Sequence, residues 1–365
     1  MKRIYLTWTV LCALPFASPG QGALNPTGAP APSMRTLTQV EPRTPISAVP
    51  VTISVPGSYY FTTNLTGVSG TNGITVAAND VTLDLNGFAL IGVTGATAGI
   101  TSTATVVNFT LRNGTIRNWP ASGIVAPGPN GKFEQLNVYS NSGAFALSAG
   151  PYARARQCQV ALNAGGLALG PGGAVSDSVI RNNSSHGIAA GESAHILNCT
   201  IYSNSGSGLT LSNASVVESC VIKTNGQNGV VGLANLSLAR CNISQNGSNG
   251  VFLTLGGRVT DCVISSNRVD GIRVTARSVI TRNVCDFNGL TGKDAGIRLL
   301  STDSRIEEND LTSNITGIVS DVGFNLIVRN RASLNATNYA FHASDLAGLV
   351  SASPINAGVW ANFDY

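Results

Sequence analysis

Residues 187–270 read GIAAGESAHILNCTIYSNSGS, GLTLSNASVVESCVIKTNGQN, GVVGLANLSLARCNISQNGSN and GVFLTLGGRVTDCVISSNRVD, four blocks of 21 that align without a gap. Each opens on a glycine and an aliphatic residue. Down the blocks run an aliphatic column (Ile196, Val217, Leu238, Val259), a cysteine column (Cys199, Cys220, Cys241, Cys262), a second aliphatic column (Ile201, Ile222, Ile243, Ile264) and an asparagine column (Asn204, Asn225, Asn246, Asn267). Apolar residues alternate over runs of three to five, the period of short strands, and the 3.6-residue spacing of helices is absent. Each block then makes one coil. Equivalent residues stack on the next coil at the strand spacing of about 4.8 Å.

The pattern extends in both directions. Gly-aliphatic pairs recur at Gly73, Gly99, Gly123, Gly166, Gly271, Gly296 and Gly317, and Gly143-Ala144 and Asn338-Tyr339 are assigned to the same slot. The asparagine column continues through Asn163, Asn183, Asn288, Asn314 and Asn335, and the cysteine column through Cys158, Ser178, Asn283, Asn309 and Asn330. These columns predict an all-β chain, a single parallel β-solenoid of about thirteen rungs and a rod of roughly 60 Å. Leucine-rich repeats come close in length, but their Leu-x-x-Leu-x-Leu pattern is missing.

With Asn-Cys-Thr-Ile at 198–201 and Asn-x-x-x-Gly-Val at 246–251, the sequence resembles the pectin-lyase-like right-handed β-helix superfamily, specifically its parallel-β-helix-repeat proteins, over nearly all of the chain after residue 70. The stretches PGSYYFTTNLTG, NGITVAANDVTLDLNGFALIG and VWANFDY also resemble a group of uncharacterised secreted bacterial members. That resemblance implies a right-handed fold and export, and no particular chemistry.

Residues 1–22 have the form of a secretory signal, with Lys2-Arg3 before an apolar run that ends in small residues. The run is shorter than the roughly 20 residues a bilayer core requires, so no integral membrane association is expected. Residues 23–50 read as a proline-rich leader, 51–72 as an N-terminal cap, 73–341 as the solenoid and 342–365 as a C-terminal cap in which Trp360 to Tyr365 fold over the last rung, a sorting signal being the alternative for that segment. The expected address is secreted, periplasmic or cell-surface. Loss of Lys2 and Arg3 lowers the formal charge from +4 to +2, and no basic run remains for a nucleic-acid partner.

The ladders Asn183, Asn204, Asn225, Asn246, Asn267 and Asn288 are read as structural, since amides one rung apart donate and accept along the stack. Cys199, Cys220, Cys241 and Cys262 are read as buried thiols, because parallel side chains about 4.8 Å apart do not reach disulfide geometry. A straight row also cannot wrap a tetrahedral metal. No metal or cofactor is expected, and with Met34 the only methionine after the signal the supply for copper is poor.

The row Asp177, Asn198, Ser219, Arg240, Asp261, Arg282, Glu308, Arg329 alternates in sign from Arg240 onward and is read as a cross-strand charge ladder. His186 partly echoes the Gly-His-Gly of polygalacturonases, but the rest of that signature is missing, and it is read as a solvent-facing turn residue. One place breaks the period: four residues are gained between Asn288 and Gly296, within Gly289–Ala295. Inserted loops on solenoids commonly build the binding face. Beside this one stand Arg273 and Arg298 on neighbouring rungs, where like charges are costly unless an anion offsets them. Arg273, Lys293, Asp294 and Arg298 are therefore the candidate ligand-binding residues; no catalytic residue is assigned.

Two functions are compatible with this pattern. One is an exported, non-catalytic β-helix that holds polysaccharide or cell-surface glycan along a strand face. The alternative is a polysaccharide lyase or glycoside hydrolase, Ca²⁺ entering only with the lyase. A hydrolase requires two carboxylates about 5 to 9.5 Å apart. Acidic residues in the columns are mostly isolated or flanked by arginine.

Overall fold

A computed structural model describes residues 41–290, 294–353, 355 and 357–365. All of its regular elements are strands, and every pairing between them is parallel. Each coil contributes three short strands to three faces. In one coil these are Leu209–Leu211, Val216–Glu218 and Val221–Lys223. The register is strict: Leu209 pairs with Ile188 and Val230, Val217 with Ile196 and Leu238, and Ile222 with Ile201 and Ile243.

The alternation decides which side chains enter the core. Ile188, Leu209, Val230, Val251 and Ile272 are wholly buried, as are Ile180, Ile201, Ile222, Ile243 and Ile264. The glycines that open each block admit no side chain. A Cβ on Gly229 would stand 2.6 Å from the carbonyl oxygen of Gly250 and 2.7 Å from Cγ2 of Ile243.

The corners obey one rule. The residue before each ladder position takes a left-handed backbone, with φ between 51° and 58° at Asp177 through Arg329 and at Asn182 through Leu334. None of these residues is glycine, so each such corner costs on the order of 1–3 kcal/mol and persists only where neighbours hold it. The ladders do so. The Asn225 amide donates to Asn246 Oδ1 at 3.0 Å, and that same oxygen accepts the Asn225 backbone N–H at 3.1 Å. In the second column Cys199 N–H donates to Cys220 Sγ at 3.5 Å, and the Cys220 thiol donates to the Glu218 carbonyl at 3.3 Å. Asn283, Asn309, Asn330 and Asn362 complete that column with ordinary amide bonds. Cysteine and asparagine therefore do the same work at the same corner.

All six described cysteines are buried and unpaired. Burial pushes Cys158 up to about 11 and raises Cys285 further, which suppresses the reactive thiolate. Labelling without reductant should modify essentially none of them in the folded protein and all six in denaturant; two or fewer in denaturant would contradict the stack.

Several expectations are corrected. The coiling begins before residue 73: Thr44–Ile46 pairs with Tyr59–Phe61 and Val51–Ile53 with Ile74–Val76, so the leader's end and the cap form the first coil. At the other end Leu346–Ala347 and Asn362–Asp364 still pair with earlier coils, past residue 341. The slot assigned to Gly143-Ala144 belongs to Ala146-Leu147, where Leu147 pairs with Ile124 and Leu167, because the corner after Asn141 is longer than the regular one. The alternating charge row lies at left-handed corners instead of in strands. Asp261–Arg282 and Glu308–Arg329 do pair, at 2.8 and 3.3 Å, but Arg240 turns to Glu218. Such exposed pairs add little stability. Glu307, on the second face, is buried and ion-paired with Arg305 and Arg329.

Candidate functional site

The outward position on the first face reads Val231, Phe252, Arg273, Arg298, Val319 on successive rungs, and Arg273 and Arg298 are direct register partners. The two arginines thus stand on neighbouring rungs. Their compensation comes from within the chain. Arg298 Nε donates to Asp321 Oδ2 at 2.8 Å, and Arg273 Nη1 lies 3.7 Å from Asp270 Oδ2. Asp294 sits at the end of the inserted loop, where its Oδ2 accepts the Leu290 N–H at 3.2 Å. Lys293 lies outside the described residues.

Asp270 and Asp321 did not emerge from the sequence as partners of these arginines. Asp270 belongs to another ladder, one residue before each opening glycine: Asn249 N–H donates to Asn228 Oδ1, Asp270 N–H to Asn249 Oδ1, and Ala295 N–H to Asp270 Oδ1 at 2.8 Å. The 21-residue step applied at that position would have revealed it. His186 stands in the same column, where its Nδ1 accepts the Ser207 N–H at 3.0 Å. That bond gives the histidine a structural task.

Burial pushes the Asp270 carboxyl up to about 6, although the Ala295 N–H and the charges of Arg298 and Arg273 pull the other way. The folded protein thus binds a proton more tightly than the unfolded chain between about pH 4 and pH 6. Stability from this group is fully present below that window and is lost as pH rises through it. Asn would continue the Asn228–Asn249 column without a charge. Asp270→Asn should remove on the order of 1–3 kcal/mol of the stability change between pH 4 and pH 7. Urea midpoints at the two pH values test this; an unchanged difference would contradict it.

A family model described as "Right handed beta helix region" matches residues 189–333. The chain is a right-handed parallel β-helix. A second model, "Periplasmic copper-binding protein (NosD)", matches residues 71–238 of the β-helix. By sequence no curated protein matches. Among solved structures, the A-module of the Azotobacter vinelandii mannuronan C-5 epimerase AlgE4 is 14% identical, covering 79% of this chain and 90% of that one with a TM-score of 0.53. The AlgE6 A-module of the same organism is also 14% identical, over 79% and 88%, at 0.48. PfbA, a surface adhesin of Streptococcus pneumoniae, is 12% identical over 82% and 83%, at 0.29.

The described residues do not fit copper. No three His, Cys, Asp or Glu side chains among them converge on a point, and the stacked sulfurs are engaged with the backbone of their own corners. No described helix is long and apolar enough to cross a membrane.

Proposed function

We propose that this β-helix is exported and holds polysaccharide along a strand face without transforming it. The single observation that carries the proposal is the strict register: outward side chains on each face recur once per rung, at about 4.8 Å, over coil after coil. A linear polymer of repeating rings is the ligand whose own period such a face can follow. Export is supported by the charged, apolar and small-residue sequence of residues 1–22 and by the periplasmic description of the second family model. The mannuronan epimerase module named above shares the fold, and fold alone does not transfer chemistry.

One observation favours a catalytic second reading. Asp270, raised to about 6 by burial, lies beside two guanidiniums, a combination suited to proton transfer next to a uronate carboxylate. Against it, Asp270 is wholly buried and its Oδ1 is committed to the ladder. Arg273, Lys293, Asp294 and Arg298 remain ligand-contact candidates under either reading. A glycan array with the purified protein tests the first, and assays for unsaturated uronate and new reducing ends, with and without Ca²⁺, test the second. Binding without turnover is the expected result; turnover lost in Asp270→Asn would establish the enzyme instead.

A further inference from the structure

The third face carries a column the function just proposed did not use. Its outward residues on successive rungs are Arg117, Tyr139, Ala161, Arg181, Tyr202 and Lys223, joined pairwise by strand register. The parallel outward column beside it reads Thr115, Asn137, Gln159, Val179, Thr200 and Val221, with no charge. Where Ala161 replaces a long side chain, a trough of about 370 Å³ opens between Tyr139 and Arg181, walled by Asn137, Gln159 and Thr115.

The cations here differ from those at the inserted loop. Arg273 and Arg298 each have a carboxylate of their own, as do Arg156 at the end of a second-face strand and Arg240 and Arg282 at the corner that follows that face. Among the described residues no carboxylate pairs with Arg117, Arg181 or Lys223. Two acidic residues of the same coils, Asp177 and Glu218, are engaged by Arg156 and Arg240. The Lys223 ammonium lies over the face of Tyr202, at 6.0 Å from the ring centroid. Three uncompensated cations in line, interleaved with two tyrosines, amount to a strip of positive potential with ring platforms set into it.

We infer that this column, Arg117 to Lys223, is a binding strip for a linear acidic polysaccharide running along the β-helix axis, its sugar rings on Tyr139 and Tyr202 and its carboxylates on Arg117, Arg181 and Lys223. The inference rests on the glycan-holding function proposed above and supplies its face and its ligand class. The strip spans roughly 24 Å at about 4.8 Å per rung, room for several sugar units. Three cations on a nearly neutral chain fall short of the clustered charge that nucleic-acid backbones require.

The test uses the purified protein with polygalacturonate as probe, fully methyl-esterified pectin as the same backbone without charge, dextran as a neutral control and a single-stranded oligodeoxynucleotide. Polygalacturonate should bind in a salt-sensitive way, since exposed charges are screened within about 8 Å at physiological ionic strength. Arg181→Ala with Lys223→Ala should weaken it on the order of tenfold, and Tyr139→Ala should weaken it while Tyr139→Phe does not. The matched control, Arg154→Ala with Arg258→Ala on the second face, removes the same charge and should leave binding unchanged. Equal loss in that control, or oligonucleotide binding as tight as polygalacturonate, would reduce the strip to general charge attraction and overturn the inference. Polygalacturonate binding untouched by the third-face changes would overturn the strip and leave the glycan-holding function standing. Binding of dextran or esterified pectin alone would overturn the acidic class only. Binding of no glycan would overturn both.

Discussion

Trp119→Ala is expected to lower the stability of the β-helix by about 3–5 kcal/mol, the range for emptying a large aromatic site in a close-packed core. Trp119 is wholly buried and occupies the ladder position of its corner. Asn118 before it has the left-handed backbone, and the Trp119 N–H donates to Asn141 Oδ1 at 3.0 Å. The side chain then fills the interior of the first coils. Cβ atoms on Gly67 and Gly73 would come within 2.6 and 2.9 Å of its Cη2, so those glycines exist partly to admit the ring. Its Nε1 donates to the Leu90 carbonyl at 3.3 Å. Removal leaves a void between coils that strand register prevents from closing, and takes one donor from that carbonyl. Urea unfolding followed by far-ultraviolet circular dichroism measures the cost. Trp119→Phe should lose less than half as much. A loss below about 1 kcal/mol for alanine would mean that the first coils do not pack on this ring.

Much of this architecture was legible because the residues that lock it repeat at a fixed step. Asn204 to Asn267 and Cys199 to Cys262 return every 21 residues, and an amide or thiol that recurs at one fixed step is what stacked coils of equal length produce. The N-terminal coils were harder to read. Their steps vary, and the ladder slot holds Trp119 where the rule calls for asparagine, so the period gave no sign that the column reached that far. The left-handed corners were hidden for a related reason. Their residues range from aspartate, asparagine and serine to arginine, phenylalanine and leucine, and what holds them is the next residue's side chain instead of their own.

The candidate site was legible in position and not in charge balance. Register alone placed Arg273 beside Arg298, as expected. Long side chains then chose among partners one rung or one corner away, and Asp270 and Asp321 lie off the strand columns that were traced. The same blindness works in the other direction on the third face. The steps from Arg181 to Tyr202 to Lys223 are as regular as the cysteines, yet only the lack of a paired carboxylate among the described residues separates this column from an ordinary solvated surface.

Asn246→Ala is the second large effect, since one side chain serves four hydrogen bonds in the ladder. Its Oδ1 accepts the Asn225 N–H at 3.1 Å and the Asn225 amide at 3.0 Å. Its Nδ2 donates to the Ile222 carbonyl at 3.3 Å and to Asn267 Oδ1 at 2.9 Å. Alanine strands the Asn225 backbone N–H and one hydrogen of its amide, which keeps its bond to the Ile201 carbonyl at 3.4 Å, and the Ile222 carbonyl loses one of its donors, while Asn267 Oδ1 still receives the Asn246 backbone N–H at 3.1 Å. A buried polar group left unsatisfied costs about 1–3 kcal/mol. The Gln245 corner loses part of what holds its φ of 57° as well, so the total should lie near the top of that range. Ser248→Ala is the control: its hydroxyl accepts one long bond from Asn249 at 3.4 Å and should cost a few tenths. Asn246→Cys tests whether the two ladders are interchangeable, because a thiol at this corner can accept the Asn225 N–H as Cys220 accepts that of Cys199. It should recover part of the loss. Equal losses for Asn246→Ala and Ser248→Ala would remove the ladder as the source of corner stability, and a cysteine no better than alanine would confine the sulfur ladder to the second corner.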